Sequence, residues 1–259
     1  MHGAKSILIA LFFACIAFVA GCVPKALPPA QISDPKELLE QIRRGTKPDK
    51  TFRAVASIRI ESPEGTYATR AALLTHDPFY LRLETIPVFG TPDVLLTLNR
   101  AHMKVFFARQ AKFYISSPER GLSLIIPVTL APSEIIPLLR GGIPPPAFSS
   151  GITIKAFLDD GTYKFDFYSQ DKKVRSLWID RSSGHPVKME IPGPNTYSIS
   201  YGSFRKVEGA SVPGSIEINT GDEKRIRIRY SDMDFLSGPE EAGTFDLEVP
   251  PGIEPSIIE

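Results

Sequence analysis

From Phe52 onward the apolar residues fall on every second position. Phe52, Ala54, Ala56, Ile58 and Ile60 interleave with Arg53, Ser57, Arg59 and Glu61. A period of two puts one set of side chains on one sheet face and the other set in water. Ser62, Pro63, Glu64 and Gly65 supply a turn, and a second strand follows over about residues 66–76. The pattern predicts further strands near 80–84, 94–99, 103–107 and 112–116. After an interruption they resume near 152–157, 163–168, 174–179, 187–191, 197–204, 215–219 and 224–230. Asp160 with Gly161, Ser183 with Gly184 and Gly221 with Asp222 mark tight turns between them. Many strands joined by tight turns make a large antiparallel sheet, and such a sheet must curl, close or pack on a partner.

Helical signals are few. Ser33 or Asp34 can cap a helix that Pro35 opens and Gly45 ends, with Leu38, Leu39 and Ile42 on one face. Leu122 to Leu130 is strongly apolar. A short helix is predicted over residues 131–140, with Pro132, Ser133 and Glu134 at its start and Gly141 and Gly142 at its end. Pro137 inside it predicts a kink or an early stop. Pro144 to Pro146 form a hard break. The expected fold is mainly β (α+β): a large curled antiparallel sheet covered by short helices. It is read as one domain over residues 33–259, because a boundary at the prolines would leave two half-sheets with exposed edges.

The start of the chain is of another kind. Lys5 and the amine of Met1 precede an almost wholly apolar run from Ile7 to Val19, as in a secretory signal. The run is shorter than the roughly 17–25 apolar residues that span a bilayer. Val19, Ala20, Gly21 and Cys22 resemble the lipobox of bacterial lipoproteins. That resemblance implies a signal at residues 1–21, cleavage before Cys22, a diacylglycerol thioether on its sulfur and acylation of its new amine. Residues 22–32, with Pro24, Pro28 and Pro29, then read as a stiffened tether. One lipid chain binds a membrane marginally and several bind it stably. Val23, where family members held at the inner membrane commonly carry Asp, points to the outer membrane with the domain facing the periplasm.

Composition narrows the chemistry. The chain has two cysteines: Cys15 would leave with the signal and Cys22 would be acylated, so no disulfide, cysteine metal site or cysteine nucleophile is expected. A net charge of +1 argues against a nucleic-acid partner. His76, His102 and His185 have no ligand spacing, and neither a Gly-x-Ser-x-Gly elbow nor a Gly-rich phosphate loop occurs. Asp159 with Asp160 suits a hairpin turn, and Glu240 with Glu241 a surface. No enzyme, metal or cofactor is expected.

Two stretches carry a further resemblance. The first is Phe79 to Glu84, followed by Ile86, Pro87, Val88, Phe89, Gly90, Thr91 and the strand to Leu98. The second is the apolar segment from Leu122 with Pro127, Leu130, Ser133, the short helix and Gly141 or Gly142. Phe245, Leu247, Pro250 and Pro251 add a closing strand and proline-rich end. Together they resemble the LolA/LolB superfamily of periplasmic lipoprotein-transport proteins, nearer LolB. The resemblance implies an unclosed β-barrel with helices as a lid, a cavity for lipoprotein acyl chains and a soluble LolA-like carrier as partner. It also implies that Phe89, beside Val88 on a strand-to-strand loop, enters the membrane; the alternative is that Phe89 folds back into the core. Pro137 and the arginine-bearing strands of the second half depart from the LolB pattern.

Ala54, Ala56, Ile58, Leu81, Leu83, Leu96, Phe165 and Trp178 are the candidate cavity residues, small beside large on the inward strand faces. A filled core has the same periodicity. Arg225, Arg227 and Arg229 alternate with Ile226, Ile228 and Tyr230, either to meet lipid phosphates or as a solvated face. The expected function is acceptance and insertion of lipoproteins at the outer membrane. The alternatives are a non-enzymatic envelope scaffold on the same fold and a glycolipid or phospholipid binder.

Overall fold

The computed structural model describes residues 30–43, 50–76, 78–125, 131–144, 151–193, 196–237 and 243–258. Cys22, the signal and most of the tether lie outside the described residues, as do Pro127, Leu130, Pro145, Pro146, Glu240 and Glu241. The chain divides into Met1–Ala30 and Gln31–Glu259.

A two-residue strand, β1 (Ala30–Gln31), precedes helix α1 (Pro35–Arg43). Asp34 caps α1: its carboxylate accepts the Glu37 N–H at 3.0 Å. Leu39 is buried, with Leu38 and Ile42 packed against the core. Then the alternating stretches pair. β2 (Thr51–Ser62), β3 (Gly65–His76), β4 (Tyr80–Thr85), β5 (Val94–Leu98), β6 (Met103–Phe107) and β7 (Lys112–Ser116) form one meander. Helices α2 (Pro118–Ile125) and α3 (Pro132–Leu139) interrupt. A second run follows: β8 (Ile152–Asp159), β9 (Thr162–Ser169), β10 (Lys172–Asp180), β11 (Pro186–Ile191) and β12 (Tyr197–Gly202). After a separate hairpin of β13 (Arg205–Val207) and β14 (Ala210–Val212) come β15 (Ser215–Thr220), β16 (Arg225–Leu236) and β17 (Pro255–Ile258).

All but the β13–β14 hairpin join one 15-stranded sheet in the order β1-β8-β9-β10-β11-β12-β15-β16-β2-β3-β4-β5-β6-β7-β17. From β8 to β7 the neighbours are antiparallel, and β17 lies parallel to β7. The sheet does not close on itself, so the architecture is an unclosed, mainly β barrel with short helices.

The two meanders meet where β16 pairs with β2. Ile226 faces Ile60, Ile228 faces Ile58 and Tyr230 faces Ala56; then a bulge at Ser231 shifts the register, and Phe235 faces Phe52. The extra residue lets an even-numbered apolar set (Ile226, Ile228, Tyr230) and an odd-numbered one (Met233, Phe235) share the inner face.

Helix α3 lies on that inner face. Ile135, Ile136, Leu138 and Leu139 are buried in the core. Pro137 lacks the N–H that would continue the ladder, and the helix ends two residues later. Gly141 (φ +72°) donates to the Leu138 carbonyl at 3.0 Å and Gly142 to that of Pro137 at 2.8 Å, the paired bonds of a Schellman end. A Cβ on Gly141 would also meet Pro213 at 2.3 Å, so this stop admits no larger residue. The helix is tied down at its end by the Tyr230 hydroxyl, which donates to the Leu139 carbonyl at 2.8 Å, and by Arg140, whose guanidinium sits 5.5 Å from the Phe235 ring centre.

The segment 243–258 crosses the outer face of β4, β5 and β6 as a strap. Arg82, Asn99 and Lys104 donate to the carbonyls of Thr244, Phe245 and Leu247 at 2.9, 3.2 and 2.9 Å. Asp246 meets Lys104 at 2.7 Å and His102 at 3.0 Å. Burial pushes the Asp246 carboxyl up, but Lys104 and His102 outweigh it and hold it below its ordinary 3.8. A carboxylate depressed on folding stabilises the native state above its unfolded value and loses that contribution as the pH falls through the folded one. The strap is therefore expected to loosen only below pH 3.8. Hydrogen exchange at Asp246 and Leu247, whose N–H groups bond the Gly243 carbonyl and the Asp246 carboxylate, should accelerate there ahead of β2 and β3, and Asp246→Asn should remove that acid step.

Candidate functional site

The loop between β4 and β5 is clamped at its base. The buried Thr85 hydroxyl accepts the N–H groups of Asp93 and Val94, each at 3.0 Å. Ile86 donates to the Arg70 carbonyl at 2.7 Å, and Arg109 pairs with Asp93 at 2.6 Å. Pro87 and Pro92 stiffen the loop, and Gly90 supplies a positive φ of 88°. Between these fixtures Val88 is 88% exposed and Phe89 90%, the two most exposed large apolar side chains among the described residues. Phe89 is not folded into the core.

The cavity candidates divide. Ala54, Ala56, Leu81, Leu96 and Phe165 are buried on the inner face, with Ile58 and Leu83 half-buried against them. Helix α3 contributes Ile135, Ile136, Leu138 and Leu139 to the same buried cluster. Trp178 does not join them. The register of β10 sets Leu177 opposite Phe165, and a period of two sends Trp178 to the outer face. There Lys164 and Lys188 each lie 5.2 Å from the ring.

A charged contact crosses the inner face. A register shift between Lys173 and Arg175 sets Arg175 opposite Phe167, on the buried side of β10. It ion-pairs with Glu134 in the first turn of α3. The other Glu134 oxygen accepts the Ala131 N–H at 3.1 Å, closing the helix start. Both side chains are nearly enclosed, 13% exposed for Arg175 and 9% for Glu134. Arg175 lies in the strand expected near residues 174–179. Its parity with Leu177 and Ile179 was the available signal, since a charge in step with apolar neighbours faces the core. Removing one partner of a buried pair strands the other, at a cost of about 3–5 kcal/mol. Arg175→Met should lower stability by that order in urea denaturation, and Arg175→Met with Glu134→Leu should recover most of it.

A cleft of about 820 Å³ opens beneath the 86–93 loop, on the outer face of β2, β3 and β16. Arginines line it, among them Arg59, Arg70, Arg227 and Arg229. Of the expected stripe, Arg227 and Arg229 reach this cleft, while Arg225 pairs with Glu217 at 3.6 Å. The described histidines have structural contacts: His76 with Thr51, His102 in the strap and His185 stacked on Phe204. Among the described residues no group of three or more His, Cys, Asp or Glu is placed to hold a metal.

No protein-family profile matches the chain, and no curated protein matches it. Solved structures do. A domain from Vibrio parahaemolyticus named for outer membrane lipoprotein sorting superposes with a TM-score of 0.55 at 11% identity, over 79% of this chain and 93% of that one. A LolA-superfamily protein from Nitrosomonas europaea gives 0.53 at 16% identity, over 82% and 96%. The likeness is one of fold: this chain folds as these two proteins do.

Proposed function

We propose that this chain is a lipid-anchored lipoprotein of the outer membrane, facing the periplasm, that receives acylated lipoproteins from a soluble carrier and helps insert them. The observation that carries this reading is the clamped loop that holds Val88 and Phe89 in solvent. Exposed apolar surface on a rigid mount suits contact with a membrane or a partner. Burying the two side chains in lipid yields about 1.5–3 kcal/mol each. That is too little to anchor a protein, which falls to lipids on Cys22, and enough to seat the loop among acyl chains.

Cargo binding needs room on the inner face, and α3 holds that room. Withdrawing its four buried aliphatic side chains costs about 6–12 kcal/mol, at about 1.5–3 kcal/mol each. A palmitoyl chain taking their place returns about 11 kcal/mol, at about 0.8 kcal/mol per CH₂. The exchange is near balance, as reversible loading requires. Direction then comes only from the difference in affinity between carrier, this chain and membrane. The filled inner face also favours a second reading, an envelope scaffold whose α3 is a permanent part of the core.

The two readings part in hydrogen exchange. Adding an acylated peptide to the chain lacking its anchor should deprotect α3 in the carrier and leave it unchanged in the scaffold. For the loop, Phe89→Glu should keep the parent's thermal melt yet slow delivery of lipoprotein to liposomes by about tenfold or more, the factor that matches the lost burial. Delivery at the parent's rate would remove the loop from the mechanism.

A further inference from the structure

We infer that the cleft beneath the 86–93 loop binds the anionic phosphodiester headgroup of a membrane phospholipid. The inference rests on the reading of Val88 and Phe89 as a bilayer contact and gives that contact a lipid preference.

The strand register builds the site. On the outer face Ser57 stands opposite Arg229 on one side and Arg70 on the other. One step along, Arg59 stands opposite Arg227 and Ala68. Ser57 and Ala68 are short, so the floor is low and the guanidinium groups rise around it. Arg70 and Arg229 sit two strands apart, about 10 Å between backbones. Side chains of arginine length can converge on one phosphate across that gap.

The carboxylates are distributed unevenly. Arg59 bonds Glu61 at 2.8 Å, while Arg227 bonds Glu217 at 2.8 Å and Glu61 at 3.3 Å. Arg109 is held by Asp93, the acidic residue in the cleft lining. Arg70 and Arg229 have no ion pair among the described residues, and both are exposed. The glutamates thus engage Arg59 and Arg227 and leave Arg70 and Arg229 for an anion. Glu61 and Glu217 are themselves held below the ordinary carboxylate range by hydrogen bonds from Arg59 and Arg227, so they stay charged near neutrality.

Location selects the anion. Ile86, Pro87, Val88 and Phe89 form the wall of the same cleft. A loop whose tip enters the hydrocarbon brings its base level with the phosphates. Guanidinium groups match phosphate oxygens bidentately. Each basic residue at an anionic surface is worth about fivefold in partition, so the pair should contribute about thirtyfold.

The test uses the full lipidated chain in vesicles, with Val88→Cys carrying a polarity-sensitive fluorophore. Cys22 is blocked by its lipid under this reading, so the label is unique. Vesicles of phosphatidylcholine are compared with vesicles containing phosphatidylglycerol, and the emission shift reports the ratio of inserted to free loop. That ratio should rise with phosphatidylglycerol, fall by about thirtyfold in Arg70→Gln with Arg229→Gln, and fall substantially in the corresponding double lysine variant. A lysine variant equal to the parent would overturn the site and leave diffuse attraction. Insertion indifferent to phosphatidylglycerol and to both double variants would overturn it while the loop contact stands. If those variants instead impair delivery from the soluble carrier, the arginines face an acidic protein and the headgroup site is overturned. No emission shift in any vesicle would remove the loop contact itself.

Discussion

The pairing of β2 with β16 holds the molecule together. Each strand runs 12 residues, and together they join a meander from the first half of the chain to a run of strands from the second. Without that seam each half would expose a long strand edge and half an apolar face. Its contacts are also far apart in sequence, Phe52 against Phe235, so the chain closes a long loop before the seam rewards it. The anchoring of α3 depends on the same seam, because Tyr230 and Phe235, which receive the end of that helix, both belong to β16.

Two faces of one sheet then carry opposite chemistry. Inside, aliphatic side chains and a short apolar helix form the buried cluster, with Glu134 and Arg175 as a buried charged contact. Outside, beside the loop, arginines and glutamates interleave over a floor of small residues. A period of two makes this possible at low sequence cost, since Ile58 and Arg59 are neighbours in the chain and lie on different faces.

Much of this was legible in the residues. The strands at 103–107 and 112–116 match β6 and β7, and the alternation from Phe52 matches β2. Turn chemistry located the hairpin at Asp160 and Gly161, and the two glycines located the end of α3. What failed has a common cause: local pattern does not report what lies across from it. The alternation breaks at Ser231 because a bulge changes parity there, so the strand read as ending at Tyr230 continues to Leu236. Trp178 looks inward by hydrophobicity, yet its neighbours Leu177 and Ile179 hold the inner positions. β17 owes its place to the backbone of β7 and the strap to side chains, all over a hundred residues away, and nothing near Asp246 announces Lys104. Val88 and Phe89 were readable as a loop pair, but only the clamps at Thr85, Ile86 and Asp93 decide that they stand outward.

The terminal strand has a consequence for crowding. β17 occupies the free side of β7 and becomes the last edge of the sheet, four residues long and beginning at Pro255. A short border that starts with a residue lacking an N–H is a poor template for another chain, although Ile257 on it is 73% exposed. Molecules confined to a plane collide edge-on far more often than molecules free in three dimensions. If the chain is lipid-anchored as proposed, a blunted border lets many copies share such a plane without zipping into fibrils.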